Sequence, residues 1–247
     1  MEKFKSVIGR EFIEKTKYQY SVPSDQEKEL PQPPLDQEIE VGKRVFELPA
    51  PGELDIPAID LLTAIENRKS TRKFTDKWLT LKELTYLLWT TQGVKRVTSR
   101  PATLRTVPSA GSRHPFETYL WVHRVEGLTP GIYKYKAIGH QLVQLDTSEG
   151  WGEKLSEACY KQPFVGDAAV SFFWAVDIYR AEWRYTERAY RYVLLDAGHV
   201  CQNLHLACEA IGAGMCAVGA YHDDALNALL GLDGANNFVV YAAAVGK

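Results

Sequence analysis

The chain has no surplus of either charge: 29 Lys and Arg stand against 31 Asp and Glu in 247 residues, a net charge of -2. A near-neutral, slightly acidic chain lacks the electrostatic footprint of a nucleic-acid binder. No apolar run reaches the roughly 18 residues that suggest a membrane span. The start, MEKFKSVIGREFIEK, mixes charges with isolated apolar residues and has no apolar core of a signal peptide. Cysteine is scarce, and Cys159, Cys201, Cys208 and Cys216 show no CxxC spacing. A chain of this length builds a core without disulfides, so the expectation is a reduced, cytoplasmic protein. Repeats and low-complexity segments are missing too. What is plentiful is flat rings, 13 Tyr and 6 Trp, which suit a core or pocket built around planar groups.

The first 55 residues differ from the rest. Residues 21–55 are rich in proline and carboxylates and show little periodicity, so 1–55 reads as an extended arm lying over a neighbour. From Ile56 the pattern becomes regular, and 56–247 reads as one domain. Leu61, Leu62 and Ile65 have helical spacing. Thr80 and Glu83 form a capping box for a second helix whose buried face is Leu84, Leu87 and Leu88. TYLWVH, from 118, reads as a strand, and GIYKYKAIGHQLVQL, from 131, as a hairpin turning near Ile138-Gly139-His140. The apolar AAVSFFWAVDIY is an interior strand. A long helix over 185–211 follows, apolar nearly all round and stopped by Gly212. MCAVGAY, a helix over 223–230 and a final strand FVVYAAAVGK complete the chain. Strands and helices mix without a βαβ repeat, so the class is α+β with a single core.

Gly212 to Ala217 matches G-x-G-x-x-A, but a dinucleotide fingerprint needs a strand before the glycines and a helix after. Here the order is inverted, and Gly212 is better read as a helix stop. Cys201, His205 and Cys208 share a helix face and could in principle ligate zinc. Buried Cys on an all-apolar helix is the stronger reading, and no metal site is expected. Two other stretches carry more chemistry. Arg68-Lys69-Ser70-Thr71-Arg72-Lys73-Phe74 concentrates guanidinium, ammonium and hydroxyl donors suited to a phosphate, although a solvated basic helix end has the same composition. Pro108-Ser109-Ala110-Gly111-Ser112-Arg113-His114-Pro115 sets small residues between two prolines, a rigid loop able to approach a flat ligand.

Several motifs in order resemble the flavin-dependent nitroreductase family. They are the R-x-S-x-R stretch, the PSAGSRHP loop, the apolar strand, the helix with Asp-Ala-Gly-His-Val-Cys-Gln-Asn-Leu, then Gly-Ala-Gly and Ala-Val-Gly-Ala. PSAGSRHPFETYL, PGIYKY and RAYRYVLLDAGHVCQNLHLACEAIGAG are most similar to its SagB-type dehydrogenase branch. The resemblance runs from about Leu61 to the end. It implies a nitroreductase-like fold, with a central antiparallel or mixed sheet, a long buried helix and an intertwined homodimer, and a flavoprotein holding FMN non-covalently at the interface.

Carried over residue by residue, Arg68 and Ser70 would hold the FMN phosphate, with Lys69 beside them, and Arg72 would sit near the N1/O2 edge. There a guanidinium would stabilise the negative charge that reduction brings. Pro108, Ser109, Ala110, Gly111 and Ser112 would approach the ring from the partner subunit. Ala217, Val218 and Gly219 would line the O4/N5 edge, and Lys247 would add a phosphate ligand. Arg113, His114, Tyr185 and Arg188 are substrate-pocket candidates, with Tyr190 and Arg191 near them. No side chain is assigned as catalytic, because the flavin carries the chemistry.

The function implied is an FMN-dependent oxidoreductase passing hydride from NAD(P)H or an organic donor to a small-molecule acceptor by ping-pong chemistry. One alternative is a SagB-like azoline dehydrogenase acting on a peptide with a partner cyclase. Where azoline oxidases of that branch have a Lys-Tyr pair, this chain reads Arg184-Tyr185, and Arg is no base near neutral pH. The other alternative is a flavin carrier without turnover.

Overall fold

Val170–Asp177 is built of β-branched and aromatic residues and is buried along almost its whole length, as a strand flanked on both sides must be. In the computed structural model, which describes residues 6–39 and 41–247, it lies within a seven-stranded antiparallel sheet. In chain order the elements are α1 (Ile8–Lys15), β1 (Val45–Glu47), α2 (Leu61–Asn67), α3 (Leu81–Gln92), β2 (Val94–Val97), β3 (Thr103–Arg105), β4 (Phe116–Val122), β5 (Gly131–Lys136) and β6 (Gln141–Asp146). They continue with α4 (Trp151–Ala158), α5 (Pro163–Asp167), β7 (Val170–Asp177), α6 (Tyr179–Tyr185), α7 (Ala189–Ala210), β8 (Gly214–Val218), α8 (Asp223–Leu229) and β9 (Asn237–Gly246). The sheet order is β1-β6-β5-β4-β7-β9-β8, and β2 and β3 form a separate hairpin.

Side chains alternate between two cores. Leu120, Phe172, Trp174 and Val245 face α3 and α7, against Leu84, Leu87, Leu88, Val200 and Leu204. Tyr119, Trp121, Phe173 and Ala244 face α4, α5 and α8, against Leu155, Phe164 and Leu226. Between β7 and β9 the large rings sit opposite small residues, Phe172 across from Ala243 and Phe173 across from Ala242, so the strands interlock without crowding. Truncating Leu88, fully buried in the first core, would cost about 2–5 kcal/mol.

The capping box forms as the sequence indicates: Glu83 N–H donates to Thr80 Oγ1 at 3.1 Å and Thr80 N–H to Glu83 Oε2 at 2.8 Å. The β5–β6 hairpin and the helix stop also form, with Gly212 at φ 59° and Ala213 N–H reaching back to the Cys208 carbonyl at 2.9 Å.

Other expectations change. The long helix does not begin at 185. Thr186, at φ 47°, breaks the chain between α6 and α7, and α6 fills the stretch between the apolar strand and the long helix, taking Tyr179 from the strand's end and Tyr185 from the helix's start. The arm is not extended throughout. It contains α1, and β1 pairs with β6 at the sheet edge. Its path over α6 and α7 is fixed by Trp183, whose Nε1–H donates to the Leu30 carbonyl at 3.0 Å while its own carbonyl accepts from Gln26 N–H at 2.8 Å. On α2 the face expected to be buried is open: Leu61, Leu62 and Ile65 are exposed, and Ala64 is the residue buried. Leu194 and Leu195 on α7 are exposed as well.

Candidate active site

Arg68 closes the C-terminus of α2, its N–H donating to the Ala64 carbonyl at 3.1 Å, and the chain leaves the helix as a strap over residues 68–75. The strap lies along the outer edge of the sheet. Ser70 bridges Met215 in parallel, Thr71 N–H donates to the Met215 carbonyl at 2.8 Å, and Thr75 N–H to the Lys247 carbonyl at 2.7 Å. Glycine makes this approach possible: a Cβ on Gly214 would lie 2.7 Å from Thr71, and one on Gly246 2.7 Å from Phe74.

Arg68 is half-buried, while Lys69, Ser70, Arg72 and Lys73 are exposed. Among the described residues none of the four cations has a carboxylate at ion-pair distance. The strap therefore brings Arg68, Ser70 and Arg72 beside β8, where Ala217 is half-buried, Val218 buried and Gly219 exposed. Four cations and a hydroxyl along one edge have the chemistry to receive a phosphate monoester.

The 108–115 loop is held from α7. Ser109 Oγ–H donates to Asp196 Oδ2 at 2.5 Å, Ala110 N–H to its Oδ1 at 3.2 Å, and Ser109 Oγ accepts His114 N–H at 2.9 Å. Burial raises the Asp196 carboxyl pKa, and the donors from Ser109 and Ala110 work against that rise. Asp196 escapes a motif search. Its signal is a carboxylate inside the apolar run VLLDAGHV, which demands polar partners. Gly111, Ser112 and His114 all have positive φ, 55°, 54° and 43°.

That backbone turns two of the substrate-pocket candidates inward. His114 is 4% exposed, and its pKa is pushed down to about 3, mainly by burial and then by Arg105, so it stays neutral in the interior. Arg113 is equally buried, its Nε–H donating to the Arg180 carbonyl at 3.1 Å. Arg188 is engaged by the arm. Its Nη1–H donates to the Thr16 carbonyl at 2.7 Å and its guanidinium lies 4.1 Å from the Tyr18 ring, so it fastens the arm, as does Arg191 through Thr16 Oγ1. Lys247 is committed as well, to Glu83 Oε1 at 2.5 Å and to the Ile211 carbonyl, which takes it away from the strap's cations. Tyr185 does stay at the loop, its hydroxyl against Gly111 and its ring edge-on to Tyr192, centroids 4.7 Å apart.

Beneath the arm lies a second charged group. Glu117 is buried on β4 with Arg180 Nη2 at 2.6 Å and Lys134 Nζ at 3.0 Å; Asp177 is 3.4 Å from Arg180, and Lys136 pairs with Asp36 at 3.0 Å. Burial raises the Glu117 pKa, but Arg180 and Lys134 outweigh this and hold it below the usual carboxylate range.

Residues 65–247 match the model of the nitroreductase family. The chain belongs to the nitroreductase family. It is an oxidoreductase by that membership, and the sheet and long α7 are the family's α+β fold. A nitroreductase-named protein of Methanocaldococcus jannaschii is 35% identical over 71% of this chain and 86% of its own length. A nitroreductase-named structure from Anabaena variabilis is 31% identical, TM-score 0.65, over 76% of this chain and only 38% of that one. One from Ralstonia eutropha is 25% identical, TM-score 0.69, over 88% and 94%.

The trifolitoxin-processing protein TfxB of Rhizobium leguminosarum is 28% identical over 52% of this nitroreductase, which spans 36% of TfxB. Two further structures share the fold at 19% identity. One is the E. coli microcin synthetase McbBCD complex with truncated pro-MccB17 bound, TM-score 0.58, over 97% and 91% of the two chains. The other is a Desulfovibrio desulfuricans nitroreductase in complex with FMN, TM-score 0.52, over 76% and 86%. Among the described residues of this nitroreductase, no group of three or more His, Cys, Asp or Glu could hold a metal ion, and no helix is long and apolar enough to cross a membrane.

Proposed function

We propose that this nitroreductase-family protein is an FMN-dependent oxidoreductase that works as a homodimer. The observation that carries this reading is the strap, whose four cations lack carboxylates among the described residues while its backbone is fixed to the sheet edge beside Ala217–Gly219. Arg68, Lys69 and Ser70 would take the phosphate, and Arg72 would face the ring edge on which negative charge develops. The relative from D. desulfuricans, solved with FMN, supports the choice of cofactor.

The homodimer is part of the same reading: Arg68 lies near His205, whereas the 109–112 loop hangs from Asp196, nine residues earlier on α7. A second copy would supply the loop, and the exposed Leu61, Leu62, Ile65, Leu194 and Leu195 are the apolar faces such a copy would cover.

FMN, when bound, accepts and returns a hydride, and donor and acceptor take turns at one site. The chain's own residues would bind and orient: the strap would hold the phosphate and the 109–112 loop would lie against the ring, its Ser109 and Ala110 anchored by Asp196. NAD(P)H or an organic donor would supply the hydride, and a small molecule would receive it. The likeness to TfxB supports the second reading, an azoline dehydrogenase acting on a peptide with a partner cyclase. Family membership favours turnover over a flavin carrier.

Anaerobic titration tests these together. Protein carrying FMN and bleached by NAD(P)H supports the first reading, and bleaching by an azoline peptide alone supports the second. Protein that takes up no FMN overturns both.

A further inference from the structure

Among the described residues the other buried cations sit beside a carboxylate or a side-chain acceptor, although nitrogens of Arg180 lack a well-aligned hydrogen bond. Arg180, Lys134 and Lys136 have carboxylates, and Arg105 donates to Gln92 Oε1 at 2.8 Å and to Thr103 Oγ1 at 3.1 Å. Arg113 is different. Beyond its one bond to the Arg180 carbonyl, its guanidinium carbon rests 4.9 Å from the Trp183 ring centroid, and its Nη2 is sealed from solvent without an acceptor.

The charged groups that face it are Arg184, Arg100 and Arg180, all of its own sign, with Tyr185 as the one group of opposite tendency. Arg184 has no carboxylate at ion-pair distance among the described residues. Its Cδ and Nε lie 3.1 Å from where a side chain on Gly111 would begin. The Tyr185 hydroxyl touches the same point and makes no hydrogen bond among the described residues. Two guanidiniums without a carboxylate, one of them with an orphaned Nη2, and a phenol without a hydrogen bond among the described residues are thus gathered at the Gly111–Arg113 corner of the loop.

Like charges brought together out of water are costly unless an opposite charge joins them. The guanidinium fork suits a group with two equivalent oxygens, and the phenol adds a third donor. We propose that the corner formed by Arg113, Arg184 and Tyr185 is an oxyanion subsite that takes the carboxylate or phosphate of the molecule exchanging hydride at the neighbouring cofactor. This rests on the FMN-dependent reading of the loop. The shared chemistry is an oxyanion, borne either by the acceptor or by the 2′-phosphate of NADPH.

The test is steady-state kinetics of FMN-loaded protein with two matched pairs, 4-nitrobenzoate against neutral 4-nitrobenzamide and NADPH against NADH. Wild type should prefer the more anionic member of one pair in kcat/KM, and Arg184→Gln should shrink that preference roughly 10- to 100-fold, through KM. Loss in the nitro pair assigns the oxyanion to the acceptor, and loss in the nucleotide pair assigns it to the donor. Preferences unchanged in both pairs overturn the subsite.

Calorimetry of the flavin-free chain with benzoate and with inorganic phosphate reads the same corner without turnover. Binding should weaken about ten-fold in Arg184→Gln and also in Tyr185→Phe. Equal affinity in wild type and both variants overturns the proposal. FMN titration of wild type is scored separately: failure to bind FMN sinks the flavin reading, while the calorimetry still decides the oxyanion subsite.

Discussion

Beneath the arm, Arg180, Lys134 and Lys136 are each closed by a carboxylate, whereas in the strap Arg68, Lys69, Arg72 and Lys73 have none among the described residues. Both groups are dense in cations. The buried one spends its charge inside the protein, holding β4, β5, α6 and the arm together. The strap is held in place by backbone bonds, glycine contacts and the packing of Phe74 on the second core, so its cationic side chains are released from structural work. Density of charge did not separate a binding site from a scaffold. The presence or absence of internal partners did.

Breaking the buried group should give the largest effect. Glu117→Gln leaves Arg180 and Lys134 without their shared carboxylate and should cost about 3–5 kcal/mol of stability, read from urea unfolding. In the strap, Arg68→Ala should change stability by no more than about 0.5 kcal/mol. It should instead weaken FMN binding roughly 10- to 100-fold in a fluorescence titration. A variant that unfolds as readily as Glu117→Gln would erase the distinction between the two groups.

His114 sharpens the comparison, because it is buried without being charged. Its folded pKa is depressed to about 3, so the unfolded chain takes up the proton first as pH falls below about 6.5. Its contribution is complete above that value and shrinks as the solution is acidified. Between pH 7 and pH 5 this should remove about 2 kcal/mol of stability, and in His114→Gln the pH 7 to pH 5 difference should be smaller by that amount. Equal pH sensitivity in both proteins would place a charged His114 in the fold. The smallest effect expected is at Arg72. Arg72→Ala should lower the flavin midpoint potential by roughly 20 mV, near 1 kcal/mol for a two-electron couple, with much of the phosphate binding retained. An unchanged potential would move Arg72 away from the ring edge.

Much of the fold was legible because local rules decided it. Thr80 and Glu83 are three residues apart, Gly212 needs a positive φ, and the β5–β6 hairpin turns where the pattern breaks. The family, too, could be read from motifs in order. The α6 helix was hidden because no proline or glycine separates YRAEWRY from the apolar strand before it, and at its far end the break from α7 is made by Thr186.

The inward turn of Arg113 and His114 depends on positive φ at Ser112 and His114, which neither residue type advertises. Lys247 has its carboxylate on Glu83, 164 positions away, a separation no local pattern spans. On α2, helical spacing located the apolar stripe correctly. It could not say whether the stripe meets this chain's own core or remains outside it.

The strap has one more consequence. By pairing at Ser70 and Thr71, it occupies the backbone groups along the outer rim of β8, a row that would otherwise be open to a strand from another molecule. The segment that offers cations is therefore also the guard of that rim. Whatever ties the strap down more firmly also protects the protein from sticking to its own kind, so solubility on storage and occupancy of the site are linked through the same few residues.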